Sequence, residues 1–321
     1  MTRKIIIDCD PGHDDAMAIL LAHGDPGVEI CAITTVAGNQ TLDKTTLNAR
    51  RVCTVAGITN VPIAAGCDRP LLRKLVTASR THGESGLDGP SFGEPTVPVA
   101  DAHAVDLIID LVKESPGEIT LVPTGPLTNI AMALRKEPSL AANVREVVLM
   151  GGAYTRGNST PAAEFNIFVD PEAAAAVFDA GWPLTMVGLD LTHQALATRA
   201  VVERIAALGT PLSKIVVELI EFFTSTYVQT GSGLQPSGGR VSKFEAPPVH
   251  DACCIARIVR PELVKCVEAF VVVETAGAWS TGMTVTDFDN DLRRDPNALV
   301  ATELDFDGFW DLMLGALERI G

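Results

Sequence analysis

Positive charge is scarce in this sequence: 25 Lys and Arg stand against 40 Asp and Glu, a formal charge of −15 over 321 residues. No stretch masses Lys or Arg, which disfavours nucleic acid backbones and anionic membrane surfaces as partners, because both call for clustered cations. Aromatic residues are few, at 5%, and no apolar run approaches the roughly 18 residues of a membrane span. The first such run, Ile5-Ile6-Ile7, stops at Asp8 and is too short for the apolar core of a signal peptide. The seven cysteines (Cys9, Cys31, Cys53, Cys67, Cys253, Cys254, Cys266) are odd in number, lack Cys-x-x-Cys spacing and sit mostly in apolar runs. They read as reduced, buried thiols, and the cytoplasm is the expected compartment. Apolar residues, at 47%, supply a large core at this length.

No internal repeat, low-complexity tract or separating linker is evident, so one domain over 1–321 is expected, with a long surface loop at about 231–248. Short β-branched or apolar runs at 4–9, 28–36, 118–122, 144–150, 184–189 and 264–273 predict strands. Segments of helical period at 14–22, 42–56, 102–114, 127–135, 171–180, 211–227 and 251–259 alternate with them. Asp170-Pro171-Glu172, followed by four alanines and closed by Gly181, has an N-cap, a first-turn proline and a terminal glycine. The alternation predicts an α/β fold: an open, mostly parallel central sheet flanked by helices.

Four carboxylates crowd the end of the first strand, in Asp8-Cys9-Asp10-Pro11-Gly12-His13-Asp14-Asp15. Ligands of open α/β sheets bind at the carboxyl edge of the strands, which is where this segment falls. A helix cap and a turn would explain Asp14 and Pro-Gly, but massing like charges is costly unless a cation neutralises them, and a hard ion such as Ca²⁺ or Mg²⁺ suits carboxylates. The spacing is not that of an EF-hand, whose sixth and twelfth positions would fall on His13 and Ile19. A strand followed by Asp-x-Asp also suits a Mg²⁺-dependent phosphatase of the haloacid dehalogenase type with Asp8 as nucleophile, although the residues after the pair differ and no downstream Lys and Asp-Asp set is evident.

Asp8-x-Asp10-Pro11-Gly12-x-Asp14-Asp15 resembles the amino-terminal signature of the inosine-uridine preferring nucleoside hydrolases. Further landmarks of that family follow in order: Val36-Ala37-Gly38-Asn39, His82-Gly83-Glu84-Ser85-Gly86-Leu87, Thr124-Gly125-Pro126-Leu127-Thr128-Asn129, Met150-Gly151-Gly152, Glu164-Phe165-Asn166-Ile167 and Val249-His250-Asp251. The resemblance implies Ca²⁺-dependent hydrolysis of the N-glycosidic bond of ribonucleosides to free base and ribose. It implies Asp10, Asp15, the carbonyl of Thr124 and Asp251 as Ca²⁺ ligands, with Asp10 also taking a proton from the attacking water. Ribose binding would fall to Asp14, Asn39, Glu164 and Asn166, with Met150 and Phe165 nearby.

Departure of the base calls for a proton donor, and histidine donates near neutral pH. His82 and His250 fall inside the family landmarks and, by the resemblance, line the base side, with His250 a candidate general acid. Tyr227 would stack on the base or bond to it. His13 is read as local geometry, and His23, His103 and His193 as packed or surface residues. The resemblance also implies a homo-oligomer, a tetramer or dimer. Gly38-Asn39-Gln40-Thr41-Leu42-Asp43-Lys44 and the segment from Ala163 to Phe168 read closest to bacterial pyrimidine-preferring members. The two histidines themselves suit purine or pyrimidine. A nucleoside or ribose sensor that binds without turnover is the non-enzymatic alternative.

Overall fold

The computed structural model describes residues 2–230 and 246–321, with 227–230 described by their backbone. Among the described residues nine strands form one sheet: β1 (Arg3–Cys9), β2 (Val28–Thr35), β3 (Ile63–Ala65), β4 (Ile119–Pro123), β5 (Glu146–Met150), β6 (Leu184–Val187), β7 (Val264–Val273), β8 (Thr284–Asp287) and β9 (Ala298–Leu304). Their order is β3-β2-β1-β4-β5-β6-β9-β7-β8. All pairings from β3 to β9 are parallel, and β7 runs antiparallel to both β9 and β8. The expected α/β architecture with a mostly parallel sheet is therefore observed.

Burial on both faces explains the continuous apolar run of β1. Ile5 and Ile7 point into one core layer, with the helices His13–Gly24, Ala252–Val259 and Phe306–Ile320, while Ile6 points into the other, with Ala104–Glu114, Thr128–Lys136 and Pro171–Phe178. The sheet grows outward from β1 through β2 to β3, then resumes on the other side of β1 with β4. That reversal opens a crevice between the carboxyl ends of β1 and β4, the place where such sheets bind ligands.

Three strands, the helix Arg199–Ala207, the final helix and several helices of four or five residues were not predicted. β3 has only three residues, and β9, Ala-Leu-Val-Ala-Thr-Glu-Leu, is rich in helix formers; its place between β6 and β7 overrides that propensity. The strand predicted at 184–189 stops at Val187, where Gly188 leads into a helical turn, Leu189–Thr192. Most of the loop predicted at 231–248 lies outside the described residues; at its end Pro248 bridges to Leu196. All seven cysteines are free thiols, four of them buried. Among the described residues no helix is long and apolar enough to cross a membrane.

Candidate active site

The crevice at the end of β1 and β4 opens into a cleft lined by residues from both strand ends and the elements around them. Asp10 lies at its floor, wholly buried. Its Oδ2 accepts a 2.6 Å hydrogen bond from the Asn39 backbone N–H, and its carbonyl accepts from Asn39 Nδ2 at 3.2 Å. Gly38 and Gly125 flank this carboxylate so closely that a Cβ at either position would strike it. The glycines of two sequence landmarks thus make room for one aspartate.

Asp14 and Asp15 occupy the first turn of the His13–Gly24 helix, whose N-terminus favours negative charge. Asp15 Oδ2 accepts from the Gly12 N–H at 2.9 Å and Oδ1 from the Thr124 hydroxyl at 2.9 Å, tying β1 to β4. Oxygens of Asp14, Asp15 and Asp251 lie within 4.8 Å of one another. Burial, with neighbouring carboxylates adding to it, holds Asp10 and Asp251 far above the ordinary carboxylate range and pushes Asp14 to about 8. Asp10 Oδ1 and Asp14 Oδ1 are buried without a hydrogen-bond partner among the described residues. Among the described residues no Lys or Arg lines the cleft. Hard oxygens crowded without a basic counter-charge, two of them orphaned, fit a divalent cation.

Glu164 and Asn166 form one wall. Glu164 caps the helix Phe165–Val169: Oε1 accepts from Asn166 N–H at 2.9 Å, and Oε2 from Gly152 and Ile167 N–H at 3.0 and 3.2 Å. Burial raises Glu164 to about 7 despite those donors. Asn166 Nδ2 donates to the carbonyls of Thr124 (2.8 Å) and Met150 (3.1 Å), joining the ends of β4 and β5.

His82 and His250 line the cleft as well. Burial is the main cause that takes His250 down to about 3, and His82 well below its ordinary value, with neighbouring histidines adding to it, so both rings are neutral at pH 7. His250 Nδ1 lies 2.7 Å from the Thr192 hydroxyl, and its ring centroid is 5.7 Å from that of His193. His82 Nδ1 lies 3.1 Å from Nδ1 of His13, whose Nε2 is 2.8 Å from the Asp88 carbonyl. His13 stacks between His82 and the Phe222–Phe223 pair at 5.3 Å centroid distances.

The fold thus gathers Asp14, Asn39, His82, Thr124, Met150, Glu164, Phe165, Asn166, His250 and Asp251 around one cleft, with Asp10 and Asp15 bonded into its floor. The side chain of Tyr227 lies outside the described residues. Asp8 does not line the cleft: it is wholly buried and its Oδ1 accepts from Thr34 (2.6 Å) and Asn129 (2.8 Å). Phe223, Asn158 and Ser159 line the cleft without having been singled out from the sequence. The polar Gly-Asn-Ser-Thr run at 157–160, just ahead of the Glu164 landmark, was the available signal for Asn158 and Ser159.

Comparison with known proteins bears on this cleft directly. The model of the inosine-uridine preferring nucleoside hydrolase family matches residues 5–311. The chain is 51% identical to the inosine-uridine preferring nucleoside hydrolase of Crithidia fasciculata, over all of this chain and 99% of that protein. It is 46% identical to the pyrimidine-specific ribonucleoside hydrolase of Salmonella arizonae over the whole of both. The solved structure of a purine-preferring ribonucleoside hydrolase from Gardnerella vaginalis superposes with a TM-score of 0.90 at 30% identity, covering 99% of each chain. With its aspartate floor and histidine walls at the sheet's switch point, the chain belongs to the inosine-uridine preferring nucleoside hydrolase family and is a ribonucleoside hydrolase.

Proposed function

We propose that this protein hydrolyses the N-glycosidic bond of ribonucleosides with Ca²⁺ as its metal, giving free base and ribose. The observation that carries the reading is the floor of the cleft, where Asp10, Asp14, Asp15 and Asp251 are buried together with two orphaned oxygens and, among the described residues, no cationic side chain. Asp10, Asp15, the Thr124 carbonyl and Asp251 would hold the ion, which when bound supplies charge neutralisation and lowers the pKa of a water.

Asp10 is the base that takes the proton from the attacking water. Its backbone contacts with Asn39 fix the carboxylate and leave Oδ1 available. Asp14, Asn39, Glu164 and Asn166 hold the ribose hydroxyls, since carboxylates and amides between them accept and donate to several hydroxyls, and their electron-rich surroundings stabilise positive charge developing on the sugar. Met150 and Phe165 pack beside the ribose. His82, His250 and Tyr227 belong to the base side, with a histidine protonating the departing base. Uridine is the proposed common substrate, because one relative's name specifies it and the other's covers pyrimidines. A cytoplasmic homo-oligomer, each chain one domain, completes the reading; the free thiols support the compartment.

Chromatographic detection of free base from uridine, cytidine, inosine and adenosine, each with Ca²⁺ and with chelator, tests the proposal. Base release that requires Ca²⁺ is expected. Binding without release in metal-loaded protein would replace the hydrolase with a sensor.

A further inference from the structure

We infer that His13 is a positioning residue that locks His82 as its Nδ1–H tautomer, so that His82 turns the Nε2 lone pair to the cleft and selects bases offering a ring N–H, as inosine and uridine do, over adenosine and cytidine. The inference rests on the nucleoside hydrolysis proposed above and assigns the two histidines of the cleft opposite hydrogen-bonding roles.

The backbone carbonyl of Asp88 can only accept a hydrogen bond. His13 Nε2 lies 2.8 Å from it and therefore carries the proton of that ring. Nδ1 of the neutral His13 ring is then a bare lone pair, and it faces His82 Nδ1 at 3.1 Å. Were His82 Nδ1 bare too, two lone pairs would oppose each other in a buried contact; a proton on His82 Nδ1 converts that repulsion into a hydrogen bond. The His13 backbone N–H also points at this atom, at a longer 3.4 Å; it can only donate, so in this tautomer it gives up that acceptor in favour of the shorter 3.1 Å bond between the rings. Phe222 and Phe223 lie nearly parallel to the His13 ring, at 6° and 13°, and keep it in plane for the contact.

The Nδ1–Cε1 edge of His82 is pressed against Gly12, where an added Cβ would sit 2.6 Å from Nδ1. Among the described residues the polar contacts of the His82 ring all involve Nδ1, which leaves Nε2 for a ligand in the cleft. A bare Nε2 accepts a hydrogen bond and has no proton to give. His250 is set the other way. The buried Thr192 hydroxyl has His250 Nδ1 as its hydrogen-bond partner among the described residues, at 2.7 Å, and donates to it, which places the His250 proton on Nε2. The Nε2–H of His250 accordingly donates a hydrogen bond to the departing base, and His82 reads the base. A site built to accept an N–H rejects a base that brings a second lone pair to the same point, because both acceptors are then buried unpaired.

The test uses full-length, Ca²⁺-loaded protein labelled with ¹⁵N-histidine. Two-bond ¹H–¹⁵N spectra, assigned with His82→Phe, are expected to give a protonated Nδ1 and a bare Nε2 for His82. In His13→Leu the tautomer is expected to become mixed. The kcat/KM preference for uridine over cytidine and inosine over adenosine should fall by about tenfold, the worth of one hydrogen bond, mostly through KM. His13→Gln, whose amide can both accept from His82 and donate to Asp88, should restore both readouts. A wild-type spectrum with the His82 proton on Nε2, or unchanged selectivity in His13→Leu, would overturn the inference. Should His13→Leu fail to fold, the wild-type spectrum and His13→Gln decide it. If the wild type releases base from none of the four nucleosides, the hydrolase reading fails, and selection by His82 falls with it even where the spectrum upholds the tautomer.

Discussion

Asp8 and Asp10 stand two residues apart at the end of one strand, and their surroundings assign them different tasks. Asp8 accepts from Thr34 and Asn129 at Oδ1, away from the cleft, and its buried Oδ2 has no partner among the described residues; burial pushes it to about 7, so it is largely a neutral, structural carboxyl below that pH. Asp10 keeps an orphaned oxygen at the cleft floor. Asp8→Asn is therefore expected to keep turnover within about tenfold of wild type, whereas Asp10→Asn, which removes the base, should lose at least about 10³-fold with the fold retained. Circular dichroism and base release measured on both variants check this, and an inactive Asp8→Asn would revive a nucleophilic Asp8. At this scale the sequence was informative where functional residues are contiguous, as in the aspartate run. It was silent on His13 with His82 and on Thr192 with His250, pairs 69 and 58 residues apart that only the fold brings together.

Short helices at the strand ends hold the walls, and their caps carry more than propensity would suggest. Asp170 caps the helix Pro171–Phe178 through the Ala173 N–H at 3.1 Å, and also accepts from Thr128 Oγ1 at 2.7 Å and the Leu71 N–H at 2.9 Å. Three elements therefore meet on one buried carboxylate. Asp170→Ala leaves three donors unpaired at about 1–3 kcal/mol each before relaxation, so a net loss of about 3 kcal/mol is expected in urea unfolding, read as a lower midpoint at unchanged slope. The cap was legible as Asp-Pro-Glu ahead of alanines, because capping is local chemistry. β9 and the C-terminal helix were not legible. The strand's composition favours helix, and only its seat between β6 and β7 makes it a strand. The same limit applies at β6, where the early stop places Thr192 beside His250.

For the molecule as a whole, the carboxylate cluster ties stability to both pH and cation. In the metal-free fold Asp8 and Glu164 titrate at about 7 and Asp14 at about 8, each raised chiefly by burial from ordinary values of 3.8 or 4.5. Between about pH 4 and pH 8 the folded chain thus holds protons that the unfolded chain has released. Where the unfolded state binds fewer protons, stability falls as pH rises. Chelator-treated protein is therefore expected to show a Tm that declines steadily from pH 5 to pH 8. A divalent cation held by Asp10, Asp15 and Asp251, with Asp14 beside it, would favour the ionised form of that cluster, so it would take the place of the cluster's protons and stabilise most where those have been lost. The increase in Tm on adding Ca²⁺ should accordingly be small at pH 5 and larger at pH 8, read by differential scanning fluorimetry at matched ionic strength. An increase of equal size at both values would place the cation away from these aspartates. A chelator-treated protein most stable at pH 8 would mean that the buried carboxylates are already ionised in the metal-free fold.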